Sequence, residues 1–182
     1  MRRHTNILIL LLLTGLCISA GAQNNPYKID DSLYPIFQRA IKWRTQPQGL
    51  LIADTLYAEA TQKKDKKAQC LALTIPVSFY LSTNNYEKLE QAAARAKEEA
   101  RKNNYLQYYY SACTNEINCL LNNGHSLRAL QKAEEMKIQA FKDQHEYGIF
   151  SCIFTLGNIY YMRQNREVAT ESVSYTHLTL PT

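Results

Sequence analysis

The stretch Tyr86–Lys102 reads YEKLEQAAARAKEEARK, and it decides the fold class of this chain. Alanine, glutamate, lysine and arginine are among the residues with the lowest free-energy cost in a helix, so such a run predicts a helix. Asn84 and Asn85 precede the run, and an asparagine pair of this kind is typical of a turn. No strand-length alternation of apolar and polar residues occurs between Asp31 and Glu171. The predicted class is therefore all-α.

Further turn signals divide the helical region into segments. Pro47-Gln48-Gly49 and Asn122-Asn123-Gly124 contain the residues that turns favour. We expect Ser126 to be the N-cap of the helix that follows the second turn, because its hydroxyl can accept a free backbone N–H of the first helical turn. Helices separated by short turns form either a bundle or a solenoid, and the period of the sequence distinguishes the two.

The helical region repeats with a period of about forty residues. Four columns of mainly apolar or small residues recur at this spacing. They are Leu33, Leu73, Cys113 and Ile153; Phe37, Val77, Ile117 and Gly157; Ala40, Tyr80, Leu120 and Tyr160; and Gly49, Leu89, Ala129 and Ala169. The first three columns are spaced i, i+4 and i+7, which is one buried stripe of a helix. The fourth column falls beyond a turn, on a second helix, so the repeat predicts an α-solenoid of antiparallel helix hairpins.

One of the units carries a recognisable motif. Leu156-Gly157-x-x-Tyr160 followed by Ala169 resembles the consensus of the tetratricopeptide repeat (TPR). Tyr86-Glu87-Lys88-Leu89 resembles the start of the second helix of the same repeat. The chain departs from the family at two positions. The residues of the first column stand where the consensus has an early Trp. In the first three units, Phe37, Val77 and Ile117 stand where the consensus has Gly. The resemblance covers residues 30–172 and implies a TPR-like domain whose last repeat is incomplete.

The two ends differ from the helical region. Met1–Ala22 has Arg2 and Arg3, then a short apolar run, then Ala20-Gly21-Ala22, which together are typical of a signal peptide cleaved before Gln23. Leu16 stands where a lipoprotein signal needs a small residue before its cysteine. Residues 23–29 are a lead-in to the repeats. Residues 173–182, VSYTHLTLPT, resemble the translation of a transposon-end sequencing adapter, so we expect a non-native tail there.

Composition and motifs argue against several functions. Lysine and arginine total 21 against 16 acidic residues, and the densest basic cluster, Lys63–Lys67, is typical of a solvated helix end rather than of a nucleic-acid site. No P-loop, dinucleotide fingerprint or nucleophile elbow is present. His125 and His145 stand at turns or helix ends without a companion nucleophile or acid. We therefore expect no catalysis, cofactor, bound metal or nucleic acid.

Cysteine and tyrosine each leave two interpretations. Cys70, Cys113, Cys119 and Cys152 all fall on predicted first helices of hairpins, which favours buried free thiols; a disulfide between Cys113 and Cys152 is the alternative.

Four tyrosines share about one helical turn. They either form an aromatic binding platform or pack between repeats, and packing is favoured. They are Tyr105, Tyr108, Tyr109 and Tyr110.

The TPR resemblance implies a concave groove lined by the first helices of the hairpins. Register places two rows of side chains along this groove. They are Tyr34, Thr74, Thr114 and Phe154, then Gln38, Ser78, Asn118 and Asn158. Asn118 and Asn158 stand where peptide-clamping members of the family carry an asparagine. The lysine one turn earlier in those members is replaced by Thr114 and Phe154, so a polar peptide groove is expected rather than a carboxylate clamp.

The start Asn-Pro-Tyr-Lys-Ile-Asp-Asp followed by such repeats resembles the periplasmic sensor portion of Bacteroidetes membrane histidine kinases and related regulators. This resemblance implies an exported, non-catalytic module that binds a protein or peptide partner, with membrane attachment only through regions beyond this chain. A free-standing periplasmic scaffold or assembly factor is the first alternative. The second is the non-catalytic part of an exported enzyme.

Overall fold

The computed structural model of the chain describes residues 25–162, and within them it contains seven helices and no strand. The predicted signal peptide, Ala169 and the tail at 173–182 lie outside the described residues. The helices are α1 Tyr34–Lys42, α2 Pro47–Gln62, α3 Lys66–Ser82, α4 Tyr86–Lys102, α5 Leu106–Asn122, α6 Ser126–Lys142 and α7 Glu146–Met162. The all-α class is therefore confirmed. No helix in 25–162 is long and apolar enough to cross a bilayer.

The turns that follow α2 to α6 share one conformation. Each contains a residue with positive φ, and these residues recur every twentieth position. They are Lys64, Asn84, Asn104, Gly124 and Gln144, with φ between 50° and 77°. After α3, the Asn84 N–H donates to the Leu81 carbonyl at 3.1 Å and the Asn85 N–H donates to the Tyr80 carbonyl at 2.9 Å. This hydrogen-bond pair is the Schellman motif. Two helices of 17 residues with their turns account for the period of about forty.

Two local predictions are wrong. Pro47-Gln48-Gly49 is the first turn of α2 and not a loop, because proline fits the first position of a helix, where its missing N–H is not needed. A Cβ on Gly49 would lie 2.3 Å from the Trp43 carbonyl oxygen, which explains the glycine. The N-cap of α6 is His125 rather than Ser126, since the turn after α5 closes with the His125 N–H on the Leu120 carbonyl.

The helices pack in chain order. Each contacts the next, and α1, α3, α5 and α7 also pack on one another in series. By contrast, α2, α4 and α6 meet only through long side chains: Arg95 of α4 lies over the Tyr57 ring of α2, and Arg128 of α6 donates to the Tyr86 hydroxyl of α4. The predicted columns form the interior of this arrangement. All their members in the described part of the chain are buried except Tyr80 and Tyr160, which are half-buried.

The even-numbered helices bury two further columns that our sequence analysis missed. Both consist of alanine at the same spacing of about forty residues. They are Ala53, Ala93 and Ala133, and Ala60, Ala100 and Ala140. Alanine has little side-chain volume, so each even helix lies close to its two odd-numbered neighbours.

Candidate functional site

The structure brings two of the predicted groove residues together. Asn118 on α5 and Asn158 on α7 line one cavity of about 450 Å³ at the ends of α3, α5 and α7. The remaining lining residues are mostly apolar. They are Leu81, Leu121, Asn122, Tyr161 and Met162. A few amide groups among apolar side chains can hydrogen-bond a peptide backbone while the apolar surface holds one of its side chains.

Three other predicted groove residues direct their hydroxyls at their own helices. Thr74 donates to the Leu71 carbonyl at 2.7 Å, and Ser78 donates to the Thr74 carbonyl at 3.0 Å. Thr114 donates to the Tyr110 carbonyl at 3.0 Å. All three side chains are half-buried, and their hydroxyl protons are used inside α3 and α5. They therefore contribute shape rather than a hydrogen-bond donor to any ligand.

The last three predicted residues do not line the cavity that contains Asn118 and Asn158, which we call the asparagine cavity. Tyr34 is buried near the N-terminus, where its ring centroid is 6.3 Å from that of Tyr27. Gln38 is exposed on α1. Phe154 is exposed on α7 and stacks on Phe150, with the ring centroids 6.2 Å apart and the planes 12° from parallel.

A second polar cluster joins three helices, and sequence reasoning missed it. Glu116 on α5 is only 3% exposed. Its Oε2 accepts from Lys97 of α4 at 2.8 Å, and its Oε1 pairs with Lys132 of α6 at 2.7 Å. Burial by itself raises the pKa of Glu116, but the hydrogen bonds from Lys132 and Lys97 outweigh it and hold that pKa below its usual value. The carboxylate is therefore ionised and doubly paired.

This cluster borders a cavity of about 210 Å³ between α4, α5 and α6. Tyr109, Cys113 and Gln139 are among its other lining residues. Because both carboxylate oxygens of Glu116 are already paired, the cluster has the chemistry of a link between helices. Its three members come from three helices, so their spacing in the sequence carries no signal of their contact.

The tyrosine prediction of packing between repeats is confirmed. Tyr110 is fully buried; its hydroxyl donates to Asp143 at 2.5 Å, and its ring stacks on His145 with centroids 5.2 Å apart. The Nδ1 atom of His145 accepts the Gly148 N–H at 3.1 Å. His145 therefore caps the start of α7, a structural use of a residue type that often serves catalysis.

The cysteines of the described region are all free and buried. Burial is the main cause that raises the pKa of Cys70 to about 12 and the pKa values of Cys113 and Cys152 to about 11. Such thiols are protonated at neutral pH and are poor nucleophiles. The alternative bridge between Cys113 and Cys152 is not formed. Within 25–162 no group of three or more His, Cys, Asp or Glu side chains is placed to hold a metal ion.

A scan against protein-family models, a search of curated proteins and a search of solved structures found no match to this chain.

Proposed function

We propose that the chain is a TPR-like α-solenoid that binds an extended peptide or protein segment. Packing in chain order supports the solenoid, because stacked hairpins contact only their neighbours. Recurrence of the same turn after each of the helices α2 to α6 supports it as well, since equal units stack with equal geometry.

Side-chain contacts between residues about forty positions apart also support the solenoid. The Asn123 side-chain amide donates to the Asn84 side-chain oxygen at 3.0 Å, which joins the turn after α3 to the turn after α5. At the other end of the helices, Arg101 pairs with Asp143 at 3.1 Å. Each link joins equivalent ends of successive hairpins.

The asparagine cavity is the observation that carries the binding proposal. Three consecutive odd-numbered helices contribute to it, so it runs across hairpins as a groove for an extended segment does. Asn118 and Asn158 supply amide donors and acceptors, and Leu81, Leu121 and Met162 supply apolar contact. The preferred ligand is therefore an extended peptide with an apolar side chain.

We further propose that the protein is exported and that the chain is the input module of a membrane signalling protein. The basic, apolar and small-residue segments of Met1–Ala22 support export. The Asn-Pro-Tyr-Lys-Ile-Asp-Asp start and the repeats support the sensor role. N-terminal sequencing of the exported protein should find Gln23 as its first residue. A mature chain that begins at Met1 would contradict export.

An array of random unstructured peptides tests the binding proposal. For any peptide that binds, Asn118→Ala and Asn158→Ala should each weaken affinity about fivefold, which corresponds to the loss of about 1 kcal/mol for one hydrogen bond. The matched control is Gln91→Ala, which removes an amide from an exposed position on α4. Equal effects of all three changes, or no peptide that binds, would contradict the proposal.

A further inference from the structure

α7 covers one face of α5 along its length. Near the start of both helices, a Cβ on Gly148 would lie 2.7 Å from the Tyr110 ring, so only glycine fits there. Near their ends, Leu121 of α5 lines the same cavity as Tyr161 of α7. Because start meets start and end meets end, the two helices run parallel. Tyr110 is completely buried by this contact and by the turn before α7.

The same face of α7 is open. Four residues of α7 are the register equivalents, forty positions later, of residues on the covered face of α5, which are Tyr110, Thr114, Asn118 and Leu121. They are Phe150, Phe154, Asn158 and Tyr161, and all four are exposed. The aromatic members are 51%, 56% and 65% exposed, compared with 0% for Tyr110. Among residues 25–162, this face with its three aromatic side chains is therefore without the cover that its equivalent on α5 has.

The preceding contact, between α3 and α5, indicates that a large side chain pairs with a small one at these interfaces. Cys70 on α3 stands at the position of Tyr110, and Tyr108 on α5 stands at the position of Gly148. Tyr108 is half-buried and packs against the apolar cluster that includes Ala68, Leu71 and Ala72 of α3. The register thus pairs a small residue with a large one at α3–α5, and a large residue contacts glycine at α5–α7. By the same register, Phe150, a large residue, pairs with a small residue of the helix that packs on it.

We infer that the face of α7 formed by Phe150, Phe154, Asn158 and Tyr161 is a docking surface for one further helical hairpin of the same type. The first helix of that hairpin runs parallel to α7 and offers glycine or another small residue to the Phe150 ring. Continuity with the α3–α5 and α5–α7 interfaces identifies this occupant. The inference rests on the repeat architecture proposed above and is independent of peptide binding.

The test extends the chain with a copy of α6, which completes the hairpin that α7 begins, and a copy of α7, which supplies the first helix of the next hairpin. A second copy of residues 126–162 is placed after Asn165 in place of residues 166–182. The sequence separation between Phe150 and the copied Gly148 then equals the separation between Tyr110 and Gly148. Amide hydrogen exchange in residues 146–162 should slow about tenfold relative to the 182-residue chain. The matched control carries Leu in place of the copied Gly148 and should lose this protection. No slowing, or equal slowing in both extended chains, would overturn the inference.

Phe150→Ala keeps the test decisive if the extension folds poorly. In the 182-residue chain this change should lower the urea midpoint far less than Tyr110→Ala does, because Phe150 is half exposed and loses mainly its contact with Phe154, whereas Tyr110 is completely buried. A loss for Phe150→Ala as large as that for Tyr110→Ala, or a dimer by light scattering that Phe150→Ala converts to monomer, would show that a segment of this chain or a second copy already covers the face. Either result would overturn the inference. Neither measurement involves peptide affinity, so failure here is distinguishable from failure of the binding proposal.

Discussion

At the scale of single residues, Glu116 is the side chain whose position most needs explanation. Removing a carboxylate from water has a large free-energy cost, so a buried glutamate is stable only when it is paired. Lys97 and Lys132 supply two ammonium groups, one to each carboxylate oxygen. Both lysine side chains keep about a quarter of their surface in solvent, which limits the desolvation of their own charges. The triad therefore joins α4, α5 and α6 through one carboxylate.

Glu116→Gln should lower the free energy of unfolding by about 2 kcal/mol at pH 7, because it removes the charge that pairs with two lysines. The pKa of Glu116 in the folded state lies below its ordinary value of 4.5, so the ionised form stabilises the fold above that pH. This stabilisation is lost as the pH falls through the lowered folded-state pKa. Urea denaturation from pH 7 to pH 3 should show the two proteins converging in stability at low pH.

Glu135→Gln is the control for this prediction. Glu135 lines the same cavity but is exposed, and its carboxylate accepts a hydrogen bond from Gln131 of its own helix. Its replacement should change the free energy of unfolding by less than about 0.5 kcal/mol. A gap between wild type and Glu116→Gln that stays constant down to pH 3 would argue against an ionised Glu116 in the fold.

At the scale of secondary-structure elements, the turns are uniform in conformation but not in sequence. All five positions of positive φ need the left-handed backbone region, yet only Gly124 is a glycine. Lysine, asparagine and glutamine occupy the others, and a residue with a Cβ is strained in this region. At Lys64 and Gln144 the turn is therefore imposed by the packing of the helices it joins, and the residue at its centre adjusts.

Replacement at these positions should change stability in opposite directions. Gly124→Ala should lower the free energy of unfolding by about 1 kcal/mol through backbone strain alone, since a Cβ there meets no atom within 4 Å. Gln144→Gly should raise the free energy of unfolding by about 0.5 kcal/mol by relieving the same strain. The control is Gln91→Gly at an exposed position inside α4, where the identical change should lower stability by about 1 kcal/mol. Thermal denaturation of the three variants gives the signs, and a destabilised Gln144→Gly would refute the strain argument.

At the scale of the whole molecule, the apolar interior is a series of clusters along the helix stack. One cluster lies among α1, α2 and α3 and contains Leu56, and another lies among α5, α6 and α7 and contains Ile117. In the described residues α1 and α2 contact neither α6 nor α7. A change at one end therefore reaches the other only through the hairpins between them.

Two matched core truncations measure this separation. Leu56→Ala and Ile117→Ala each remove a side chain that is at most 1% exposed, and each should cost about 3 kcal/mol of local stability. Hydrogen exchange should accelerate mainly in α1–α3 for Leu56→Ala and mainly in α5–α7 for Ile117→Ala. Equal acceleration along all seven helices in both variants would mean that the molecule unfolds as a single cooperative unit.

Local features were predictable because their causes are local. The all-α class follows from runs such as Tyr86–Lys102, and the turns at Asn84 and Gly124 follow from residues that tolerate the required backbone angles. The start of α2 was mispredicted because proline and glycine are as compatible with the first turn of a helix as with a loop. Of the predicted groove, Asn118 and Asn158 meet in one cavity, whereas the Thr74 and Thr114 hydroxyls bond to their own helices.

The sequence by itself determined the all-α class, the period of about forty residues and the register that buries one face of the odd-numbered helices, because propensity and periodicity act over a few residues. Only the tertiary structure decided that Glu116 is paired by Lys97 and Lys132, and that Phe150 is half exposed where its equivalent Tyr110 is covered by Gly148. These contacts join residues on different helices, and the packing of one helix on another sets their distances. Spacing along the chain carries no information about such distances until the helices have been placed.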